Sequence, residues 1–448
     1  METGSNITAA GFLFLLVMAV MMWTVKRKFA LVPLLITTCY MPLGQVLLIG
    51  GLHFQLFRIL LLVGALRVVV RSESKGLQLS RFDRIFLAWA GVMLVMGFMK
   101  GQLTTRAGEA YDALGAYFLF RCWLRTPDDL IGVLRFLGWM IVPLAVSMFI
   151  ERFTSRNVFY VFGGVPLISV ERDGGLRCQG AFRHPILAGT YAATLFPGFV
   201  GLWAQGRKQK WPAIAGIASA TFVTAASHSS GSLLAWLCAL IGLVLWRYRA
   251  RMRLLRWAMV AGILGFAAVM NAPVWYIIAR VSDLVGGTGW HRSYLIDQAV
   301  KHFNEWWLIG SKVTAHWAPG GSQVLAVDPN NMDITNHYIS QGLAGGVLQL
   351  GLFVALIVLG FKTIGRRVHL RRVPWNIRFL VWSLGAILTA HCVSFFSVSY
   401  FDQIVVMWYW LLAVLSMLAG ERVWINYMQP EAPPTSPPAV LRRRPVTV

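Results

Sequence analysis

Charge is scarce in this chain. Only 13% of its 448 residues are Asp, Glu, Lys or Arg, against 57% that are hydrophobic, which lies far outside the soluble average. The five cysteines, Cys39, Cys122, Cys178, Cys238 and Cys392, show no paired spacing, which excludes a disulfide framework or a zinc ribbon. No HExxH is present, and a catalytic metal is not expected. No internal repeat of inverted topology marks the chain as a secondary transporter. Residues Met1 to Ile7 carry Glu2 and no positive charge, and no small-residue cleavage site follows, so the first apolar run is not expected to be a cleaved signal peptide.

Apolar runs long enough to cross a hydrocarbon core of ~30 Å fill most of the length. They fall near 8–25, 30–50, 54–70, 83–99, 107–123, 129–149, 185–204, 212–227, 230–247, 257–272, 341–361, 378–398 and 403–420. The run near 107–123 is the weakest, because Glu109 and Asp112 interrupt it. The expected fold is all-α: a polytopic transmembrane bundle of about 12–13 spans. It occupies residues 1–428, with substantial outer loops at 150–184 and 272–340. The remaining 429–448, rich in proline and carrying Arg442-Arg443-Arg444, reads as a disordered cytoplasmic tail.

The net charge of +23 is mostly topology. Basic residues sit in short connections: Lys26 to Lys28, Arg71 to Arg84, Arg121 with Arg125, Arg207-Lys208, Arg247 to Arg256, and Lys362 to Arg378. If the helices alternate, these connections share one side, the positive-inside signature of a cytoplasmic face. No soluble basic domain with interleaved aromatics supports nucleic-acid binding.

Chemistry is therefore sought in the outer loops. From Arg292, apolar residues fall at Leu295, Ile296, Ala299, Val300, Phe303, Trp306 and Trp307. Spacings of three and four predict an amphipathic helix along the membrane surface, with Thr288 and Gly289 as start signals. Arg292 then lies in the first turn, where free N–H groups favour an anion. Arg177 and Arg183 precede a helix opening at Pro185; they would grip phosphate oxygens, or else pair with lipid headgroups or with Glu171 and Asp173. His337, in Thr335-Asn336-His337-Tyr338, would accept a proton from a hydroxyl or serve a structural role, with Asp333 and Asn336 placed to orient its ring. The run Gly342, Ala344, Gly345, Gly346 allows close helix approach. His53, His184, His228, His291, His302, His316 and His337 all fall on the outer face, without recognisable ligand spacing. Ser227-His228-Ser229-Ser230-Gly231 lacks the context of a serine hydrolase and reads as a turn between two spans.

These motifs, in this order, resemble the O-antigen ligase and O-antigen polymerase superfamily of membrane glycosyltransferases. Arg177, Gly180 and His184-Pro185 are similar to its Arg, Gly, His-Pro signature, and Gly289 to Gly310 to its surface helix. Asn336-His337-Tyr338 with Gly342 and Gly345-Gly346 resembles its His-Asn-x-Tyr and Gly-x-x-Gly element. The chain departs from the pattern at Ile186, where an Asn is usual, at Asn336, which precedes the histidine, and at Ser229-Ser230, which lack an Arg partner.

The resemblance implies a GT-C-like, metal-independent enzyme of the bacterial inner membrane, working at the periplasmic face without cofactors. Its donor would be an undecaprenyl-diphosphate-linked glycan. Its acceptor would be a second glycan, in O-antigen or exopolysaccharide polymerisation, or a lipid A core, in ligation. Arg177 and Arg292 would hold the diphosphate and His337 would deprotonate or orient the acceptor hydroxyl, with His184, Arg183, Asn336, Tyr338 and Arg280 in support. Membrane lipid and other polysaccharide export proteins are the further partners implied. Two rivals are disfavoured. A lipid-linked glycan flippase would want ionisable groups in mid-span, and a metal-dependent transferase would want acidic ligands near Gly51-Leu52-His53, where there are none.

Overall fold

The computed structural model describes residues 7–427, apart from 43, 50–51, 173, 281–288, 319–325, 329–330 and 426. The expected tail, Thr288 and Asp173 lie outside the described residues, as does the side chain of His53. The described chain is a helical bundle. Its helices are α1 Ala9–Thr24, α2 Val32–Tyr40, α3 Leu56–Val70, α4 Arg81–Met99, α5 Leu103–Trp123, α6 Pro127–Thr154, α7 Pro185–Trp203, α8 Lys210–Ala226, α9 Ser230–Val244 and α10 Met252–Val269. After a long connection carrying α11 Gly289–Lys301 and α12 Phe303–Trp306 come α13 His337–Val368, α14 Trp375–Ser394 and α15 Gln403–Ala419.

Among the described residues, six stretches are long and apolar enough to cross a membrane: α4, α6, α7, the Ser230–Val269 run, α13 and α14. The chain is a helical membrane protein. Helices α1, α2, α3 and α15 are shorter than the apolar runs suggested. The run near 30–50 shows why: Pro42 and Gly44 follow α2, and the apolar residues continue as strand β1, Val46–Ile49, paired with β2, Leu52–Gln55. Apolar length alone cannot separate a short helix plus a strand from one span. Two more small hairpins depart from the all-α expectation: β3 Val170–Arg172 with β4 Gly175–Arg177, and β5 Ala326–Asp328 with β6 Asn331–Met332.

The bundle has two chemically different ends. At one, basic residues cap the helices: Arg67 binds Glu73, Arg27 donates to the carbonyls of Cys122 and Trp123, and Arg367 to those of Leu418 and Ala419. There Asp83, in the capping box that starts α4, also receives Arg121 at 3.0 Å, Tyr117 at 2.6 Å and Ser416 at 3.1 Å. One buried carboxylate thereby ties α4, α5 and α15, with its lone pairs satisfied as a buried charge requires. At the other end the long loops and hairpins gather. A second hydrophobic cluster, Leu295, Ala299, Trp306, Trp317, Met332, Ile339 and Leu343, docks α11 and α12 onto the first turns of α13.

Helix α13 is broken at Gly345 and Gly346. The carbonyls of Leu343 and Ala344, released by the break, accept from Lys100 Nζ at 2.8 and 2.6 Å, and Leu343 also from the Ser311 N–H. The Val347 N–H donates to Trp307 at 2.7 Å. Gly346 has φ 71° and ψ −167°, a region essentially reserved for glycine. A Cβ there would stand 2.3 Å from the Leu308 carbonyl oxygen. Gly346→Ala is therefore expected to destabilise the protein by about 2 kcal/mol or more, from strain and backbone collision together, read as a lower unfolding midpoint; an unchanged midpoint would mean that the break is not where the chain needs it.

Candidate functional site

The Arg177 loop is held by a residue that no pattern in the chain singles out. Glu151, fully buried near the end of α6, accepts the Ser169 hydroxyl at 2.6 Å and the N–H groups of Gln179 and Gly180 at 3.0 and 2.9 Å. Gly180 sits at φ 57°, which closes the turn. Gly175 packs directly on His228, where a Cβ would stand 2.5 Å from Nε2. Arg177 is thereby carried into the interior of the loop end, 8% exposed.

His184 caps α7, its Nδ1 accepting from the Ile186 N–H at 3.2 Å. Its imidazole keeps contact with solvent, so surrounding protein removes it from water only in part. That partial burial, with the positive charges of Arg177 and Arg172, pushes its pKa down to about 4. At neutral pH the guanidinium groups, not the imidazole, carry the charge here.

Arg292 lies in the first turn of α11, as its spacing predicts, and is 7% exposed. Its side chain reaches Gly231 at the start of α9: a Cβ on Gly231 would stand 3.3 Å from an Arg292 terminal nitrogen and 2.6 Å from Ser397. The glycine in the Ser-rich turn makes room for the guanidinium. Among the described residues, no hydrogen-bond acceptor or carboxylate partners Arg292. Burial and the like charge of Arg172 both lower its pKa, though a guanidinium stays protonated. The charge of Arg172 is thus felt by both His184 and Arg292, and that of Arg177 by His184.

His337 is placed differently. Asn336 caps α13 through the Ile339 N–H at 3.2 Å, and the His337 N–H donates to Phe395. The ring is packed by Phe353, Phe395 and Tyr400. Its Nδ1 accepts from the Tyr400 N–H at 3.1 Å. A backbone N–H only donates, so the hydrogen of the neutral ring sits on Nε2. The Gln341 amide nitrogen stands 3.4 Å from Nε2, a donor facing a donor, so it does not accept the Nε2 hydrogen. The expectation that Asp333 and Asn336 orient the ring is corrected: the backbone of Tyr400 does so. Asn336 caps the helix, and Asp333 offers its carbonyl to His291 at 3.3 Å.

His337 lines a cavity of about 300 Å³. Neither Arg177 nor Arg292 is among its lining residues, which include Arg58, Arg106, Glu109, Asp112, Trp89, Tyr400, Asp402 and Tyr409. Arg58 binds Asp112 through Nε and Nη2, at 2.8 to 3.1 Å, and Arg106 binds Glu109 at 2.6 Å. These two carboxylates are the ones that weaken the apolar run near 107–123, and that interruption was the signal. Asp402 has no such signal. It adopts φ 53°, unusual for a residue with a Cβ. One buried oxygen, Oδ2, has no hydrogen-bond partner. Burial raises its pKa, against the pull of Arg183.

The loop from Phe395 to Asp402 joins the two regions. Ser397 packs on Gly231 beside Arg292, while Tyr400 and Asp402 line the His337 cavity. Of the supporting residues, exposed Arg183 acts on Asp402 through charge. Tyr338 anchors to the Cys392 carbonyl at 3.2 Å, and Arg280 is exposed. Residues 227–229 are the expected turn between α8 and α9. No family model matches the chain, and no curated protein matches it.

Proposed function

We propose that this protein is a membrane glycosyltransferase that moves a glycan from an undecaprenyl-diphosphate donor to a sugar hydroxyl, at the periplasmic face of a bacterial inner membrane. The observation that carries the reading is Arg292, a nearly buried guanidinium without an acidic partner among the described residues, set beside further positive charge at the start of α9. A buried charge without a counter-ion is costly, and a diphosphate would supply that counter-ion through charge-assisted bonds. The motif resemblance points to the same reaction, and the GT-C-like arrangement belongs to the proposal with it.

In this reading the diphosphate rests against Arg177, Arg172 and Arg292, and the isoprenoid tail stays in lipid. The acceptor sugar occupies the cavity lined by His337. The acceptor oxygen attacks the anomeric carbon as the carbon–oxygen bond to the diphosphate breaks, and that electron pair leaves with undecaprenyl diphosphate. The guanidinium groups stabilise the departing charge. His337 orients the acceptor through Nε2–H, and Asp402, in the same cavity, takes the hydroxyl proton. A polymerase and a ligase to lipid A core would share these steps and differ in the acceptor.

The test is transfer in proteoliposomes that hold the purified protein, a lipid-linked oligosaccharide and an acceptor glycan. Product is expected to form at an undiminished rate in EDTA. Activity lost in EDTA and restored by Mg²⁺ would replace this reading with a metal-dependent one, and no transfer to any acceptor would remove it.

A further inference from the structure

We infer that His302, Glu305 and His316 form a site for one divalent ion of the zinc class, in the loop outside the membrane-spanning helices and independent of the transfer reaction. The three residues stand at irregular spacing in the sequence, two on the α11–α12 junction and one in the short 3-10 turn Ala315–Trp317. Folding brings one ligand atom from each within 4.8 Å of the others. His302 Nδ1 lies 2.6 Å from Glu305 Oε1, and His316 Nε2 lies 2.9 Å from Oε2.

Around an ion with bonds of about 2.0–2.2 Å, tetrahedral ligand atoms stand roughly 3.3 Å apart. The two short contacts therefore open by about 0.4 and 0.7 Å, and the ligand atoms, all within 4.8 Å of one another, draw toward that common spacing. Two imidazoles and one carboxylate match zinc or its first-row neighbours, whereas calcium and magnesium demand oxygen ligands. The side chains are partly exposed, at 28%, 34% and 46%, so an ion and a completing water can reach them.

One of the ligand rings is held in place by packing. The His302 ring stacks on Trp317 at 18° and 5.5 Å between centroids, and Trp317 is fully buried. Proton balance is simple when both rings are neutral. The hydrogens now directed at Glu305 move, through water, to His302 Nε2 and His316 Nδ1, and the freed lone pairs bind the ion. No net proton is released.

Such an ion would close the segment from 302 to 316. That segment contains the Trp307 carbonyl and the Ser311 N–H, which hold the broken turn of α13. The ion would thus stiffen a loop whose contacts to the broken turn are already made without it.

The experiment is calorimetric titration of the full chain in lipid nanodiscs, stripped with chelator and free of any histidine tag, with Zn²⁺ alone. One saturable equivalent is expected, with micromolar or tighter affinity and a raised unfolding midpoint. Bound Co²⁺ should show the intense visible bands of a four-coordinate site. H302A and H316A should each weaken binding at least tenfold, and E305Q, which preserves shape, should do the same. Absence of a saturable site in the wild-type chain would overturn the inference and leave a hydrogen-bonded trio. Wild-type affinity in H302A/H316A or in E305Q would overturn it too, because the ion would then sit elsewhere.

Discussion

His337→Ala is expected to leave a folded, inserted protein whose glycan transfer falls by about a hundredfold, the loss that misplacing a reacting group by about an ångström causes. The ring is wedged among aromatic side chains and holds the Tyr400 N–H. Its removal therefore also loosens the loop that carries Asp402. Turnover measured alongside the unfolding midpoint separates the two effects. A variant that keeps its midpoint and its rate would exclude His337 from the reaction, while one that loses both equally would make the residue structural.

Arg292→Met should do two opposite things. It removes the guanidinium that receives the donor, so KM for the lipid-linked glycan should rise by roughly 30- to 1000-fold, corresponding to about 2–4 kcal/mol for a desolvated charge contact. It also removes a buried charge that has no partner among the described residues, so the ligand-free protein should become more stable by a few degrees, the usual trade between stability and a functional site. Arg292→Lys should recover little, because an ammonium lacks the fork that binds two phosphate oxygens. A fall in stability with unchanged KM would show that Arg292 has a structural partner instead.

How much of this was legible in the chain depends on the distance over which the signal acts. Helices and their basic end follow from apolar runs and short charged connections, which are local patterns. The first-turn position of Arg292 was legible for the same reason, since spacings of three and four define the helix face. Glu151 was not, because its partners at 169, 179 and 180 meet it only after the loop folds back. Arg58 and Asp112 are separated by 54 residues, and a lone Arg early in an apolar run says nothing about where its carboxylate is. Asp402 is visible only through its backbone angle and unsatisfied oxygen. The glycines before Gln349 were expected to serve helix packing. Gly346 does allow close approach, but to the Leu308 and Trp307 carbonyl oxygens, where the helix is broken, and Gly342 to the Trp306 ring.

That interruption has a mechanical consequence. A continuous rod would transmit every change of tilt, and every mismatch with bilayer thickness, to whatever stands at its tip. Because the rod is cut at residues 345 and 346, the tip bearing the imidazole is referenced to the loop platform and to Lys100. The part of the helix beyond the break meets the imidazole through side-chain packing, Phe353 against the ring, and not through a continuous hydrogen-bonded rod.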